Sequence, residues 1–499
     1  MLKGSPLQRA FFIALMLFSG FAFLINLVSF VFKLIPDILK EFGYSSFFIF
    51  MAAAVFVFIL CISLILLQKT DKYLSSLQFG FLLFILSLLL KIIFISILSV
   101  KNYSDFQLFY WITVKISQND TSYLNGQYFH IWAYQVGFPA IMSLFVRIFG
   151  SNELTLILIN NVFQAAINLL VYLISRQLVS EKYSRIFAIA YLLMPFTFSL
   201  SNVYTNQHLS TMLFYLGIYS LFKKPLSVPN VFTCCLCLVI GNIARPEGIT
   251  VILALSVLAI TILFNKAPNN KSRTIALISS LIFCYFILIQ LSSSFFTASG
   301  LSQDGLENKF PLYKFVVGLN SSTAGTFSEY DSKALFETDE YLNNPSQRDL
   351  EAMELIKERI LVKPVDLFTL FAKKVRAMWS SDPNWYPAFH EYANSDIKTT
   401  NLKIPAKLIT SLLSLIDYIY YFILYLLLIF YSYISIKQKE QNMLGVFLSL
   451  FFIIGFFIFL LIEVQHRYSY LFMPAVYILA SAAFEEYKKL KCQSETLSA

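Results

Sequence analysis

The sequence predicts an all-α polytopic membrane protein with about twelve transmembrane helices, and two observations support this fold class. First, 58% of the 499 residues are hydrophobic and only 13% are charged, which is too little charge to cover the surface of a soluble chain of this length. Second, apolar runs of about 20 residues, the length that crosses a bilayer as a helix, recur from one end of the chain to the other. The lipid bilayer is therefore the first partner that the sequence predicts.

Each span follows from the length of its apolar run. We expect spans near 10–33, 45–67, 76–100, 152–178, 185–202, 207–222, 229–244, 246–265, 274–297, 406–436, 441–463 and 467–486. The run 229–264 would extend roughly 54 Å as one helix, far more than the roughly 30 Å of hydrocarbon, so Pro246 is expected to divide it into two passes. The run 138–149 is too short to span, and we expect it to lie in the interface as a helix.

Basic residues in the short loops predict the orientation. With the amino terminus inside, clusters such as Arg176–Arg185 and Lys437–Lys439 all fall on one side, as the positive-inside rule requires. Both termini are then cytoplasmic, and the net charge of +9 is explained without a nucleic-acid partner. The opposite, outer side receives the loops 101–151, 202–208, 244–248, 298–405 and 464–468.

This topology divides the chain into three parts. Residues 1–297 form an amino-terminal transmembrane module that includes the first outer loop 101–151, residues 298–405 form a mixed extracytoplasmic loop domain, and residues 406–499 form a second transmembrane module. Within the loop domain, 309–320 is predicted to be a short strand or helix, and 346–379 two amphipathic helices broken before Pro364. The aromatic residues of 378–389 suit either sugar stacking or anchoring at the membrane interface.

Five ionisable residues lie where outer loops meet span ends. Arg245 and Arg467 can hold the phosphate of a lipid whose tail lies in the bilayer, although snorkelling to the interface is the alternative. Glu247 is expected either to pair with Arg245 or to cap the following helix. His208 and His466 are candidates for bonding phosphate or sugar, or are structural residues at helix ends.

Asp105 is the candidate catalytic carboxylate. It lies among aromatic residues in KNYSDFQLFYW (101–111), directly after a predicted span. Ser104 and Gln107 have the spacing of a capping box, which would start an interfacial helix at this point. Two interpretations stay open from the residues alone: Asp105 complements the helix dipole, or it acts as a general base on an incoming hydroxyl.

Taken together, these segments resemble the GT-C class of integral-membrane glycosyltransferases, in particular the family-39-type enzymes related to protein O-mannosyltransferases and aminoarabinose transferases. The resemblance covers about residues 75–485, and its motifs are SDFQLFYWITVKI (104–116), YQVGFPAIMSLFVRIFG (134–150), NELTLILINNVFQAAINLLVYLISRQL (152–178), ARPEGI (244–249), YKFVVGLNSSTAG (313–325) and HRYSYLFMPAVYILA (466–480). It implies a GT-C fold and an active site on the extracytoplasmic face.

The resemblance also implies roles for residues. Asp105 would be the general base or would orient the acceptor, and Arg245 and Arg467 would hold the carrier phosphate. The neutral pair Tyr134 and Gln135 stands where some relatives carry an acidic residue or a lysine, which would place both at the substrate site. This departure leaves the cofactor undetermined, since a divalent metal is possible for the family but gains no support from these residues.

The expected activity is that of an inverting glycosyltransferase in a plasma membrane. The donor would be a polyprenyl-phosphate-linked sugar, and the acceptor a cell-envelope glycopolymer, lipid or protein. Two alternatives belong to other classes: a transporter or flippase of lipid-linked sugars, and a non-catalytic partner in envelope assembly. A transporter requires charged residues in the middle of several spans, where this sequence has few, of which Lys91 is one.

Overall fold

The computed structural model describes residues 2–67, 72–98, 101–223, 226–265, 271–336, 344–381, 385–392, 396–399 and 402–498. Strand β1 (Leu2–Lys3) is followed by α1 (Pro6–Ser29), α2 (Ile35–Phe42), α3 (Ser46–Leu67), α4 (Ser76–Ile97), α5 (Ser104–Ser117), α6 (Gln127–Ile131), α7 (Gly137–Phe149), α8 (Glu153–Ser175), α9 (Glu181–Leu193), α10 (Gln207–Phe222), α11 (Val228–Ala244), α12 (Gly248–Phe264) and α13 (Lys271–Ala298). The remaining elements are α14 (Pro311–Gly318), α15 (Glu329–Phe336), α16 (Pro345–Ile360), α17 (Pro364–Met378), α18 (Tyr386–Phe389), β2 (Asp396–Thr399), β3 (Leu402–Pro405), α19 (Ala406–Lys437), β4 (Glu440–Gln441), α20 (Met443–Leu461) and α21 (Met473–Ser498).

The helical membrane class is confirmed. Within the described residues, six helical stretches are long and apolar enough to cross a bilayer: Pro6–Ser63, Ser76–Ile97, Glu153–Ser175, Lys271–Ala298, Ala406–Lys437 and Met443–Leu461. The first of these contains a bend at Gly43, whose φ of +51° favours glycine, and it covers two of the predicted spans. Helices α11 and α12 meet at Arg245–Glu247, as expected from Pro246. A total of twelve spans stays a prediction.

The predicted span 185–202 is wrong as a single helix. Helix α9 has only 13 residues, about 20 Å, because Pro195 lacks the backbone N–H needed to continue it. A short 3-10 turn over Pro195–Phe198 follows, and then an almost wholly buried segment without regular secondary structure leads to α10. Irregular backbone at membrane depth requires hydrogen-bond partners from the protein itself.

Amide side chains of α8 supply those partners. Asn161 donates from Nδ2 to the Ser201 carbonyl at 2.7 Å, and Asn160 donates to the Thr205 carbonyl at 2.8 Å. Gln164 donates to a further carbonyl of the same segment, that of Thr197. Lys91 of α4, one of the few charged residues within a span, also serves this segment, since its Nζ donates to the Thr197 hydroxyl at 2.9 Å. These polar groups therefore hold a loop in place.

The loop domain contains the predicted helices, but its last part packs into the bundle. Residues 309–320 form a helix, α14, and the two amphipathic helices appear as α16 and α17 on either side of Pro364. Trp379, directly after α17, is buried against the rings of Phe452, Phe456 and Phe472. Trp385 is also buried, so neither tryptophan is available for sugar stacking or membrane anchoring as we had expected.

The two ends of the bundle are distinct. At one end, β1 pairs with β4 in antiparallel register, which places the amino terminus beside the turn before α20. At the other end, helix α7 packs against α5 and α11. A Cβ on Gly137, the first residue of α7, would lie 1.9 Å from the Ile243 carbonyl oxygen, so this close approach to α11 requires glycine.

Candidate functional site

The five predicted outer loops meet at one place. Arg467 contacts Asp105, Asn206 contacts Arg245, and Lys314 contacts Glu463. The first and third contacts connect the loops 101–151 and 298–405 with the chain on either side of 464, and the second connects 202–208 with 244–248. Arg245 also lies over the Tyr468 ring, which joins this second pair of loops to the others. We call this group of residues the charged cluster and define it by its three ion pairs: Asp105–Arg467, Arg245–Glu247 and Lys314–Glu463.

Asp105 lies in the first turn of α5 and forms an ion pair with Arg467. The carboxylate accepts from the Arg467 guanidinium at 3.0 Å and from the Tyr128 hydroxyl at 3.4 Å, and 32% of its side chain is exposed. The predicted capping box is wrong, because α5 begins at Ser104 itself, with φ +47°, and no side chain caps the helix. Asp105 therefore holds a cation from another helix and also lies where a helix dipole favours an acid.

Arg467 is positioned by a chain of polar contacts. Its Nε donates to Gln465 Oε1 at 2.7 Å, and Gln465 Nε2 in turn donates to Glu463 Oε1 at 3.0 Å. The other Glu463 oxygen binds Lys314 of α14. Burial would lower the pKa of Lys314, but Glu463 and the nearby tyrosines outweigh it, so the pKa is raised and the ammonium stays charged. Glu463 thus binds Lys314 directly and holds Arg467 through the side chain of Gln465.

Arg245 is held at the boundary of α11 and α12. Its Nε donates to Glu247 at 2.6 Å, its Nη1 donates to Asn206 Oδ1 at 3.1 Å, and the guanidinium lies 4.9 Å from the centre of the Tyr468 ring. Of the two roles expected for Glu247, the pairing is confirmed and the side-chain cap is wrong, because the Glu247 side chain makes no capping bond. The Arg467 guanidinium lies over the Phe106 ring instead, but both arginines act electrostatically on the Tyr468 phenol.

Tyr134 lies within reach of all three ion pairs. Its phenol is buried, which raises its pKa, and Lys314, Glu463, Arg245 and Asp105 all act on it electrostatically. Gln135 follows in the same 3-10 turn, and its backbone N–H donates to the Trp132 carbonyl at 2.9 Å. Tyr134 therefore lies buried beside the charged cluster, while Gln135 makes only this local contact among the interactions described, and a substrate role stays a prediction for both.

The two histidines differ in their burial. His208 is fully buried, with Nδ1 at 2.9 Å from the Tyr470 hydroxyl and Nε2 at 3.2 Å from the Leu200 carbonyl. This placement favours the structural alternative for His208, since both ring nitrogens are occupied by protein. His466 is half-buried and packs edge-on against the Phe196 ring at 4.9 Å, so its role stays a prediction.

Four residues of the site were not anticipated from sequence: Tyr128, Lys314, Glu463 and Tyr468. A signal existed for the last three, because Lys314 lies in the YKFVVGLNSSTAG motif, Tyr468 is part of HRY (466–468), and Glu463 lies three residues before it. Tyr128 had none, since its neighbourhood is an irregular aromatic stretch. The structure adds that backbone bonds join the two motifs, with Glu463 N–H donating to the Lys314 carbonyl at 2.7 Å and Val464 N–H to the Gly325 carbonyl at 2.8 Å.

The charge balance restricts the chemistry of the site. Each of the three cations is paired with one carboxylate, so the cluster is close to neutral. A phosphate can bind here by taking over guanidinium donors from a carboxylate. Within the described residues, no group of three or more His, Cys, Asp or Glu side chains has the geometry to hold a metal ion.

Fold and site together define the class: a helical, multi-pass membrane protein with a cluster of ion pairs at one end of its bundle. Comparison with known proteins does not assign the chain to a family. No protein-family model matches the chain, and no curated protein matches it significantly.

Proposed function

We propose that the protein is an inverting glycosyltransferase that moves a sugar from a polyprenyl-phosphate carrier to a cell-envelope acceptor at the extracytoplasmic face of the plasma membrane. The observation that supports this most is the Asp105–Arg467 pair, in which residues 362 positions apart meet at 3.0 Å. A carboxylate that can accept a proton and a guanidinium that can bind phosphate are thereby adjacent at one end of an apolar helical bundle. The ordered resemblance of the sequence motifs to GT-C enzymes gives separate support.

The reaction requires one base and one site for a leaving phosphate. Asp105 accepts the proton of the acceptor hydroxyl, and the oxygen attacks the anomeric carbon from the face opposite the carrier. The bond between that carbon and the phosphate oxygen breaks, and its electron pair stays on the polyprenyl phosphate. Arg467 and Arg245 stabilise the charge that develops there, because guanidinium forks match phosphate oxygens. Inversion follows from the single displacement.

The ion pairs of the charged cluster fit this sequence of events. When the carrier phosphate binds Arg467, the guanidinium gains a stronger anionic partner than the Asp105 carboxylate. Asp105 then loses its cation and becomes free to accept a hydrogen bond from the acceptor hydroxyl. Arg245 differs, because Glu247 is its neighbour in sequence and keeps it in place throughout. Donor binding therefore prepares the base, which ties acceptor activation to the presence of an activated sugar.

The test is the substitution Asp105→Asn, which keeps the size of the side chain and an oxygen for Arg467. We expect at least a 100-fold loss of transfer, within the range typical for loss of a general base. Envelope glycans from cells producing either form are compared by mass spectrometry for a sugar-sized mass increase that depends on the wild-type protein. Asp120→Asn is the matched control, because Asp120 belongs to the same outer loop but pairs locally with Lys115 at 3.1 Å.

Wild-type glycan levels with Asp105→Asn, at equal protein abundance in the membrane, would contradict the role of this carboxylate. Loss of the product with Asp120→Asn as well would show that the loop, and not the base, is what the assay detects.

A further inference from the structure

A cavity of about 470 Å³ lies at the end of the bundle away from Asp105. Helix α8 connects the two ends: Glu153 at its start accepts a hydrogen bond from the Asn102 backbone, close to Asp105, and Arg176, directly after its last residue, lines the cavity. At 23 residues this helix is about 35 Å long, so the cavity is separate from the charged cluster. Its volume lies in the range of about 300–1,000 Å³ that is typical of ligand pockets.

The polar part of the lining is basic. Arg176 and Lys223 both line the cavity, at the carboxyl ends of α8 and α10. Arg176 Nε forms an ion pair with Glu181 at 2.7 Å, but Glu181 also binds Arg185 at 2.7 Å, so a single carboxylate is shared by two guanidinium groups. Within the described part of the chain, the terminal nitrogens of Arg176 and the Nζ of Lys223 have no hydrogen-bond partner. The lining therefore carries a surplus of positive charge.

Two helix amino termini add to this field. The cavity is bordered by Thr274, in the first turn of α13, and by Asn442, whose side chain caps α20 by accepting from the Leu444 N–H at 2.9 Å. Helix amino termini favour anions and the carboxyl ends of α8 and α10 oppose them, so the preference for an anion rests mainly on the two basic side chains. Gln177 presents a different group: its Oε1 is buried and has no partner among the described residues, so it can accept a bond from a hydroxyl.

The rest of the lining is apolar. It includes Leu173, Leu221, Phe222, Ile262 and Met443. These five belong to helix ends, where a bilayer passes from hydrocarbon to headgroups. An occupant that satisfies both parts of the lining has a phosphate, a hydroxyl close to it, and an apolar portion.

We infer that this cavity binds the headgroup of an anionic phospholipid, with the phosphate between Arg176 and Lys223 and a headgroup hydroxyl on Gln177. The lining distinguishes this ligand from a free phosphate, which would leave the apolar walls without contact. It also distinguishes it from a choline lipid, which has no hydroxyl and carries a positive charge beside its phosphate. The site does not depend on the proposed transferase activity.

The test is native mass spectrometry of the whole protein in detergent, titrated with dioleoyl phosphatidylglycerol. We expect the double variant Arg176→Gln with Lys223→Gln to lose at least tenfold in affinity for the first bound lipid, because two charge-assisted contacts are removed. Arg9→Gln with Lys437→Gln is the matched control, since these exposed residues belong to the same end of the bundle and do not line the cavity. The control should bind as the wild type does.

Two further probes separate the sources of the phosphate. Dioleoyl phosphatidylcholine should bind at least tenfold more weakly than phosphatidylglycerol, and glycerol 3-phosphate should not displace the lipid at equal concentration. Equal affinity of the double variant and the control would overturn the site. Equal binding of phosphatidylcholine, or displacement by glycerol 3-phosphate, would overturn the assignment to an anionic lipid.

Discussion

Lys374 is a buried lysine whose partners are main-chain carbonyls. Its Nζ donates to Gly318 at 2.6 Å and to Ile462 at 2.7 Å, and so joins α17 to α14 and to the end of α20. Burial lowers the pKa of Lys374 to about 7, although the nearby Glu463 opposes the shift. A neutral amine has two N–H groups, which is the number that these two carbonyls need.

This pKa predicts how stability changes with pH. Between about pH 7 and 10.5 the unfolded chain binds a proton at Lys374 that the folded protein does not, so the free energy of unfolding rises with pH in this window. Lys374→Met removes that contribution and leaves two carbonyls without a donor. We expect the melting temperature of the wild type, relative to Lys374→Met, to increase from pH 7 to pH 9.5. The melting temperature of Lys373→Met, at the exposed neighbouring position, should change with pH as that of the wild type does. If the melting temperature of Lys374→Met also follows that of the wild type, the lowered pKa of Lys374 is refuted.

Arg245 carries a second prediction at this scale, which rests on the proposed function. Arg245→Gln should raise the apparent KM for a polyprenyl-phosphate sugar at least tenfold, because a charge-assisted contact to phosphate is lost and Glu247 is left without its cation. Arg147→Gln is the control, since Arg147 also belongs to a loop predicted to be outer but binds Asn119 at 2.9 Å. Initial rates over a donor concentration series give the KM, and an unchanged value for Arg245→Gln would exclude phosphate binding by this residue.

Among the elements, the apolar helices could be predicted from sequence and the irregular segment after α9 could not. Apolar length is a local property, and it located α4, α8 and α19 to within a few residues. The loss of helix after Leu193 depends on amides of α8 that satisfy the freed carbonyls, which no local pattern reveals. The capping box predicted at Ser104 does not form, although the residue spacing is correct. Within the described residues, capping boxes form at Ser5 and Ser75 instead.

The contact between α14 and the end of α20 depends on a glycine. A Cβ on Gly318 would lie 2.2 Å from the Ile462 carbonyl carbon, which is backbone and has little freedom to move. Gly318→Ala should therefore destabilise the protein by about 1–3 kcal/mol, the usual effect of overpacking. Gly20→Ala is the control, since a Cβ there has open space within α1, and alanine in a helix stabilises by up to about 1 kcal/mol.

The measurement is the melting temperature in detergent together with transfer activity. Gly318→Ala should lower both, because Ile462 immediately precedes the chain Glu463–Gln465–Arg467 that positions the site. If Gly318→Ala melted at or above the temperature of the wild type, α14 and the end of α20 could move apart without a loss of stability.

At the scale of the whole molecule, charge bias predicted which loops lie together, and contacts between their side chains agree with it. Charge bias concerns whole loops, so it could group the segments that contain Asp105 and Arg467. It could not pair the two side chains, because their contact depends on the packing of helices that are far apart in the sequence. The same reasoning places β1 and β4 at the opposite end, where they pair.

The orientation of the bundle is the remaining prediction at this scale. Asp120 belongs to the loop that carries Asp105, and Lys437 ends α19 beside the β1–β4 pair. In a chain whose six cysteines are replaced by alanine, we introduce Asp120→Cys or Lys437→Cys and label intact cells with a membrane-impermeant maleimide. The cysteine at 120 should react in intact cells, and the cysteine at 437 only after permeabilisation, because the short loops rich in Lys and Arg are retained inside.

Labelling of both positions in intact cells would contradict a bundle that spans the membrane between them, whereas the reverse pattern would place the charged cluster in the cytoplasm. The reverse pattern would also exclude transfer to an envelope acceptor while leaving the geometry of the cluster unchanged.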